Sequence, residues 1–284
     1  MRLQEKIIGV CIRVYRRSPF YPRLGSLLAK MLSLKQKMVP RKPFIHNLGE
    51  YKIWIDLNEV IDANVYYAGS FEPDTERVFA QKVRAGDTVL DIGANIGLHT
   101  LSLAHKTGEK GKVIAFEPSR WACERLMKNI NLNGYRNIRL ENLGLSNVPA
   151  SGVSLTTRSS YRLDGKIKVH SEIADFTTID SYCAEQQILC VDFIKIDVDG
   201  FEAKILKGAE QILRQSRTRI IFELGPKYLL EAGDSSEELI AYLKGLGYTF
   251  FEESSLSPFE NLSEAAKKIP SGSTINVYAE QQSA

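Results

Sequence analysis

From about residue 88 onward, short and mostly apolar runs alternate with stretches in which apolar residues return every three or four positions. The runs at 88–92, 113–116, 138–140, 193–196 and 219–223 are too short for helices and are expected as buried strands. Helical spacing covers roughly 97–105, 120–132, 202–214 and 235–246. This alternation predicts an α/β fold: a mostly parallel sheet, right-handed crossovers and helices on both faces. Two final runs, 248–252 and 273–278, are joined by a longer connection without a clean helical period and are expected to close the sheet as an antiparallel pair.

Upstream, Tyr51-Lys52-Ile53-Trp54-Ile55-Asp56-Leu57 alternates as a strand does, and a helix is expected from near Asp74. Residues 44–82 read as a lead-in to a main domain at 83–284. Before them, Leu3, Ile7, Cys11 and Val14, then Leu24, Leu27, Leu28 and Met31, recur at helical spacing, with Pro19 and Pro22 between the two sets. Two short amphipathic helices are expected there.

Charge sets this arm apart. Residues 1–43 hold eleven Lys and Arg against Glu5 alone, a net +10 in a chain whose total is +3, so the remainder stands at −7. Such an arm can pack on the body or make peripheral contact with an anionic membrane surface. The small overall charge gives no reason to expect a nucleic-acid partner. With 44% apolar and 25% charged residues, disorder and a coiled-coil rod are disfavoured. Cys11, Cys123, Cys183 and Cys190 form neither a C-x-x-C pair nor a disulfide framework, so a cytoplasmic setting is expected. The early apolar run from Ile7 to Ile12 is too short to cross a bilayer, and neither a transmembrane segment nor a cleaved leader is expected. Residues 147–173, rich in Ser, Thr, Gly and Lys, are expected as a surface loop or irregular hairpin near the substrate.

Chemistry concentrates at strand ends. Val89-Leu90-Asp91-Ile92-Gly93-Ala94-Asn95-Ile96-Gly97 is a buried strand running into Asp-x-Gly-x-Asn-x-Gly and then a helix. Gly93 and Gly97 allow a tight turn with close approach of a ligand beside the positive end of that helix. The Gly-x-Gly-x-x-Gly spacing of nicotinamide dinucleotide binders is missing, and Asp91 would repel a pyrophosphate while suiting an ammonium or sulfonium. At the tip of the next strand, in Val113-Ile114-Ala115-Phe116-Glu117-Pro118, the Glu117 carboxylate can accept both hydroxyls of a ribose. An acidic loop and a ribose clamp on consecutive strands point to a nucleoside cofactor carrying an amino acid, S-adenosyl-L-methionine.

These motifs make the chain resemble a class I S-adenosylmethionine-dependent methyltransferase of the FkbM family. The resemblance rests on Tyr67-Ala68-Gly69-Ser70-Phe71-Glu72-Pro73, on 89–97, on Phe116-Glu117-Pro118, and on Phe193-Ile194-Lys195-Ile196-Asp197-Val198-Asp199-Gly200-Phe201-Glu202, and covers roughly 44–278. Asp199 departs from it, standing where the family usually has Glu. The resemblance implies a Rossmann-like seven-stranded sheet with its last strand antiparallel, and methyl transfer chiefly to a hydroxyl oxygen. By matching position, Asp91, Gly93, Asn95 and Gly97 would hold the methionine portion of the cofactor and Glu117 its ribose. Asn142 and Leu143, in the loop after the third strand, would flank adenine. Ala94 and Pro118 belong to the same motifs, and Glu72 either reaches across the cofactor pocket or is purely structural.

Asp197, Asp199 and Glu202 form the candidate catalytic set. Three carboxylates within six residues at a cleft edge are costly unless paired, hydrated or metal-bound. They could orient the sulfonium end, accept a hydroxyl proton or hold a divalent cation, and Asp197 is the expected contact to cofactor or substrate. Asp199 or Glu202 could instead cap the helix starting near Gly200. Glu223 lines the same edge, as a substrate contact or an ion-pair partner. No two histidines have metal-ligand spacing, and His99 reads as packed rather than catalytic. The expected acceptor is a small molecule or glycan: a saccharide, lipid-linked saccharide or secondary metabolite. The alternative is a non-catalytic or N-methylating protein that docks on an anionic surface through its arm.

Overall fold

The computed structural model describes residues 42–158 and 169–281. The helices expected in the basic arm, and any contact made by residues 1–41, lie outside the described residues, as does most of the loop around His170. The described chain divides into two compact units: 42–73 with 155–172, and 74–154 with 173–281.

In the first unit, β1 (Phe44–Asn47) and β2 (Lys52–Ile55) form an antiparallel hairpin with Phe44 opposite Ile55. The strand period turns Ile53 and Ile55 fully inward, and α1 (Val60–Ala68) adds Ala63 and Val65 to the same buried set. Asp62 anchors the entry to α1 by accepting the Asp56 N–H at 2.6 Å.

The second unit is built on a seven-stranded sheet. Its strands are β3 (Thr88–Ile92), β4 (Lys112–Phe116), β5 (Ile138–Glu141), β9 (Phe193–Ile196), β10 (Arg219–Leu224), β11 (Tyr248–Glu252) and β12 (Ile275–Gln281), in the order β11-β12-β10-β9-β3-β4-β5. The strands β10, β9, β3, β4 and β5 run parallel, whereas β12 lies between β10 and β11 and is antiparallel to both. The Rossmann-like sheet, its parallel core and its antiparallel closure are therefore all present. The chain leaves β3 toward β4 and β5, then returns to place β9 and β10 on the other side. The carboxyl ends of β3 and β9 therefore meet at the switch point where such sheets bind ligands.

Side-chain alternation assigns the helices to faces. Leu90 and Ile92, Ile114 and Phe116, Ile194 and Ile196, and Ile220, Phe222 and Leu224 pack against α5 (Ile179–Glu185), α6 (Glu202–Lys207), α7 (Glu210–Gln215), α9 (Ser236–Gly245) and α10 (Leu262–Lys267). On the other face, Val89, Val113, Phe193 and Ile221 meet α2 (Pro73–Lys82) and α3 (Leu98–Thr107). Ala115 there meets Leu126 and Ile130 of α4 (Arg120–Asn133). Asp91 shares this second face with Val89, and Lys195 shares it with Phe193.

Several elements depart from the sequence reading. The stretch 202–214 is two helices, broken where Gly208 lies so close to the chain at Ser146 that a Cβ would stand 2.3 Å from the Ser146 carbonyl oxygen. The connection after β11 contains α10, capped by the Asn261 side chain; six residues with only Leu262 and Ala266 buried are too few to display a period. The segments α1, α5 and α8 (Pro226–Glu231) were not foreseen either, each being nine residues long or shorter. The Ser/Thr-rich stretch, by contrast, takes one of the two forms expected of it, a hairpin over most of its described length, with β7 (Ala150–Arg158) beside β8 (Val169–Thr177). The end of β8 runs parallel to β6 (Gly144–Leu145).

Phe79 of α2 is fully buried and meets Phe193 of β9 edge to face at 5.8 Å and the His99 ring at 5.3 Å. Phe79→Ala is expected to cost about 3–5 kcal/mol of unfolding free energy in urea titration.

Candidate functional site

The turn after β3 is held almost entirely by its own backbone. The N–H groups of Gly93 and Ala94 both donate to the Phe116 carbonyl, at 3.0 and 3.1 Å, and Asp197 N–H donates to the Ile92 carbonyl at 3.1 Å. These bonds tie the carboxyl ends of β3, β4 and β9 together. Asn129 of α4 supports the turn by donating to the Ile96 carbonyl at 2.8 Å.

Both loop glycines are required by the protein itself. Gly93 has φ +76°, and a Cβ there would fall 2.0 Å from the Asp197 carbonyl oxygen; Gly97 has φ +94°, and a Cβ there would meet Leu126 Cδ1 at 2.1 Å. Asn95 between them also takes a positive φ of 48°, a conformation that Asn tolerates better than most residues. The close approach expected of a ligand is thus, on the Cβ side, a close approach of neighbouring strand and helix.

Glu117 is 8% exposed at the tip of β4. Its Oε2 accepts the Asn95 N–H at 2.8 Å and its Oε1 accepts the Ser119 N–H at 2.9 Å, so the carboxylate bridges the turns after β3 and β4. Burial pushes its pKa up, while those two N–H groups and the Lys195 charge pull it down. Each oxygen retains a lone pair for a further donor. Asn142 turns its amide back onto the Glu117 and Pro118 carbonyls, both at 2.9 Å, which fixes the loop that carries Leu143.

Asp91 is wholly buried. Its Oδ2 accepts the Thr100 hydroxyl at 2.5 Å, and its Oδ1 accepts no hydrogen bond but lies 3.6 Å from the Lys195 ammonium. Lys195, 5% exposed, also stands 3.4 Å from Asp197 Oδ2 and 3.4 Å from the Gly93 carbonyl oxygen. Sequence reasoning gave Lys195 no role. The signal was present, since a lysine between two isoleucines in a buried strand must bring a partner for its charge.

Four carboxylates line the next stretch of the edge. Asp197 has 36% of its side chain exposed. Asp199, with a positive φ of 53°, has its pKa raised by burial and by the charge of Asp197. Glu202 is 1% exposed; its Oε1 accepts the N–H groups of Val198 at 3.1 Å and Gly200 at 3.3 Å, while its Oε2 accepts no hydrogen bond. Burial pushes its pKa up to about 7 against those N–H groups. Glu223, across from Asp197 at the end of β10, is pushed up to about 8 by burial and by the negative charge of Asp197. Among the described residues, no group of three His, Cys, Asp or Glu is arranged to hold a metal ion. Glu202 thus caps the turn before α6 with one oxygen and keeps the other free of hydrogen bonds.

His99 is 4% exposed, packed on Phe79, with Nδ1 3.2 Å from Glu76. Glu72 belongs to the first unit, in a turn with φ +44° just before α2.

Two outcomes follow from this geometry. Gly93→Ala is expected to lower unfolding free energy by more than about 2 kcal/mol in urea titration, because both its φ and its neighbour's carbonyl oppose a side chain. A carboxyl whose pKa is higher folded than unfolded binds more protons when folded, so stability falls as pH rises between the two values. Between its ordinary 4.5 and about 7, Glu202 should thus withdraw stability. Glu202→Gln is expected to remove about 2–3 kcal/mol of the loss between pH 5 and pH 8 in the same titration.

The family model described as the methyltransferase FkbM domain matches residues 91–250, and that of protein-L-isoaspartate(D-aspartate) O-methyltransferase matches 30–144. Hexuronic acid methyltransferase AglP of Haloferax volcanii is 30% identical over 156 residues, covering 54% of this chain and 62% of that protein. Methyltransferase sdnD of Sordaria araneosa is 25% identical over 157 residues, covering 43% of this chain and 60% of that protein. The alignments thus span about three-fifths of the length of these curated relatives. A solved SAM-dependent O-methyltransferase from Thermotoga maritima superposes with a TM-score of 0.46 at 14% identity, covering 89% of this chain and 82% of that one. With the FkbM match spanning more than half of its length, from Asp91 at the end of β3 to Phe250 in β11, the chain belongs to the FkbM methyltransferase family.

Proposed function

We propose that the protein is an S-adenosylmethionine-dependent methyltransferase that methylates a hydroxyl oxygen on a saccharide or a related small molecule. The observation that carries this reading is the carboxyl edge of β3, β4 and β9, where a glycine turn, a buried glutamate and a carboxylate row meet at the switch point of the sheet.

The donor set fits this cofactor. Glu117 has lone pairs left for two ribose hydroxyls after accepting its two backbone N–H groups. Asp197 offers a partly exposed carboxylate to a cationic ammonium or sulfonium, and the edge as a whole is acidic. Asp91, Gly93, Ala94, Asn95 and Gly97 shape the turn that would hold the methionine portion, Asp91 acting from within the core. Asn142 and Leu143, with Pro118, would set the wall beside adenine.

When bound, S-adenosylmethionine supplies a methyl group already activated for displacement by a nucleophile. The chain must then align the acceptor and take up one proton. Asp197, Asp199 and Glu223 are the groups for that second task. Burial and the charge of Asp197 push the pKa of Glu223 up to about 8, which suits a base working near neutrality. Glu202 holds the turn that presents Asp197 and Asp199. The hydroxyl and saccharide assignments draw on the relative named as a hexuronic acid methyltransferase. Peripheral membrane contact through 1–43 stays part of the proposal; in the described residues no helix is long and apolar enough to cross a membrane.

The test is transfer of labelled methyl from S-adenosylmethionine to a panel of uronic-acid oligosaccharides and neutral sugars, with the product located by mass spectrometry. Transfer to oxygen is expected, with a rate that rises as pH increases toward about 8 because the base must be unprotonated. Glu223→Gln is expected to lower kcat by about a hundredfold and to flatten that rise. Transfer to nitrogen, or no transfer to any hydroxyl acceptor, would overturn the assignment.

A further inference from the structure

Beside Glu223 the carboxyl edge carries a polar group that the steps above leave without a task. In the register of β10 and β12, Asn276 stands directly opposite Glu223, so both side chains leave the sheet on the face that also holds Asp197. Residues paired in this way have Cβ atoms about 5 Å apart. Both are half-buried. Two residues before Asn276, the Thr274 hydroxyl bonds the Glu223 carboxylate.

The partners of Asn276 fix which way its amide faces. Its Nδ2 donates to Glu253 Oε1 at 3.1 Å and to the Thr75 hydroxyl oxygen at 3.2 Å, and the Thr75 hydroxyl donates to the same Glu253 oxygen. A carboxylate only accepts, so the amide atom facing Glu253 is the nitrogen. Glu253 follows directly on β11, which lies on the opposite side of β12 from β10. The nitrogen is therefore turned away from Glu223, and the planar amide leaves Oδ1 on the β10 side. Both N–H bonds of that nitrogen are used, whereas Oδ1 accepts no hydrogen bond among the described residues. A carboxamide whose donors are spent on the fold, and whose acceptor is open next to the base, is placed to read a donor on the molecule that the base acts upon.

We propose that Asn276 is a specificity-determining residue for the acceptor: its amide oxygen takes a hydrogen bond from a hydroxyl next to the one that Glu223 deprotonates. The site then selects an acceptor with hydroxyls on adjacent carbons, as a pyranose ring presents them. This rests on the methyltransferase reading, in which Glu223 takes the proton of the reacting oxygen, and narrows its acceptor class. A carboxylate and an amide oxygen side by side match two neighbouring donors, whereas a lone alcohol satisfies one and leaves the other unpaired. The neighbouring hydroxyl does not react, so its bond to Asn276 is made equally before and during methyl transfer and acts on KM rather than on kcat.

The experiment measures methyl transfer from S-adenosylmethionine by the whole chain to methyl glucuronoside and methyl glucoside, and to the monodeoxy analogues of each, for wild type and Asn276→Ala. With wild type, removing a hydroxyl that flanks the methylated one is expected to raise KM about tenfold and to leave kcat within about twofold, the size of one hydrogen bond whose partner is left unpaired. Asn276→Ala is expected to raise KM for the parent sugar by about the same factor, and to make that deoxy analogue as good an acceptor as its parent within about twofold. A merely structural Asn276, acting through Thr75 and Glu253, would weaken parent and analogue alike and leave their ratio at its wild-type value; that result overturns the proposal. If Asn276→Ala does not fold, as read from its thermal transition, wild type decides. Equal kcat/KM for the parent and all its deoxy analogues overturns the proposal, and a tenfold loss confined to a flanking position supports it. Wild type that methylates only acceptors without neighbouring hydroxyls overturns this inference and leaves the methyltransferase reading standing; no transfer to any hydroxyl acceptor overturns both.

Discussion

The contact between the carboxyl ends of β3 and β9 is the constraint on which the rest of the site depends. Gly93 sits so close to Asp197 that a Cβ would overlap the Asp197 carbonyl oxygen, and the Asp197 N–H is bonded to the Ile92 carbonyl. Two acidic residues, Asp91 and Asp197, are thereby brought to one place, and Lys195 lies between them. Without the lysine two anions would crowd the switch point; without the glycine the strands could not meet there. Glu117 completes the frame, because its carboxylate joins the turn after β3 to the start of α4.

From this frame the edge divides by solvent access. Asp91, Glu202 and Glu117 are buried and turn at least one oxygen each to Thr100 or to backbone N–H groups. Asp197 is partly exposed, and Glu223 is held at a raised pKa by its negative neighbours as well as by burial. The raised pKa values of Glu202 and Glu223 put proton uptake and release near neutrality at this edge, which is what acid–base work at a single site needs.

Much of this was legible in the sequence. The apolar runs gave the parallel core of the sheet and the antiparallel closure, because a strand buried on both faces has no other way to read. The turn at Gly93 to Gly97 and the glutamate at 117 were legible because tight turns and strand-end carboxylates are local features. What escaped has a common cause. The break at Gly208 depends on the distant chain at Ser146, and α10 is too short to show a period. Lys195 was overlooked because its role is set by register: only when Lys195 is known to lie opposite Asp91 does its charge acquire a purpose. A second reason for the two loop glycines was not legible, since a Cβ at either would run into the neighbouring strand or helix.

The central claim is that this acidic edge is a cofactor site. Its most direct test is calorimetric titration of the intact chain with S-adenosylmethionine, comparing wild type with Glu117→Ala, each checked for folding by its thermal transition. Micromolar binding that weakens by at least about a hundredfold in a folded Glu117→Ala protein is the predicted result, because the variant loses both the ribose acceptor and the bridge between the turns. A folded wild type that does not bind, or a variant that binds as tightly as wild type, would contradict it.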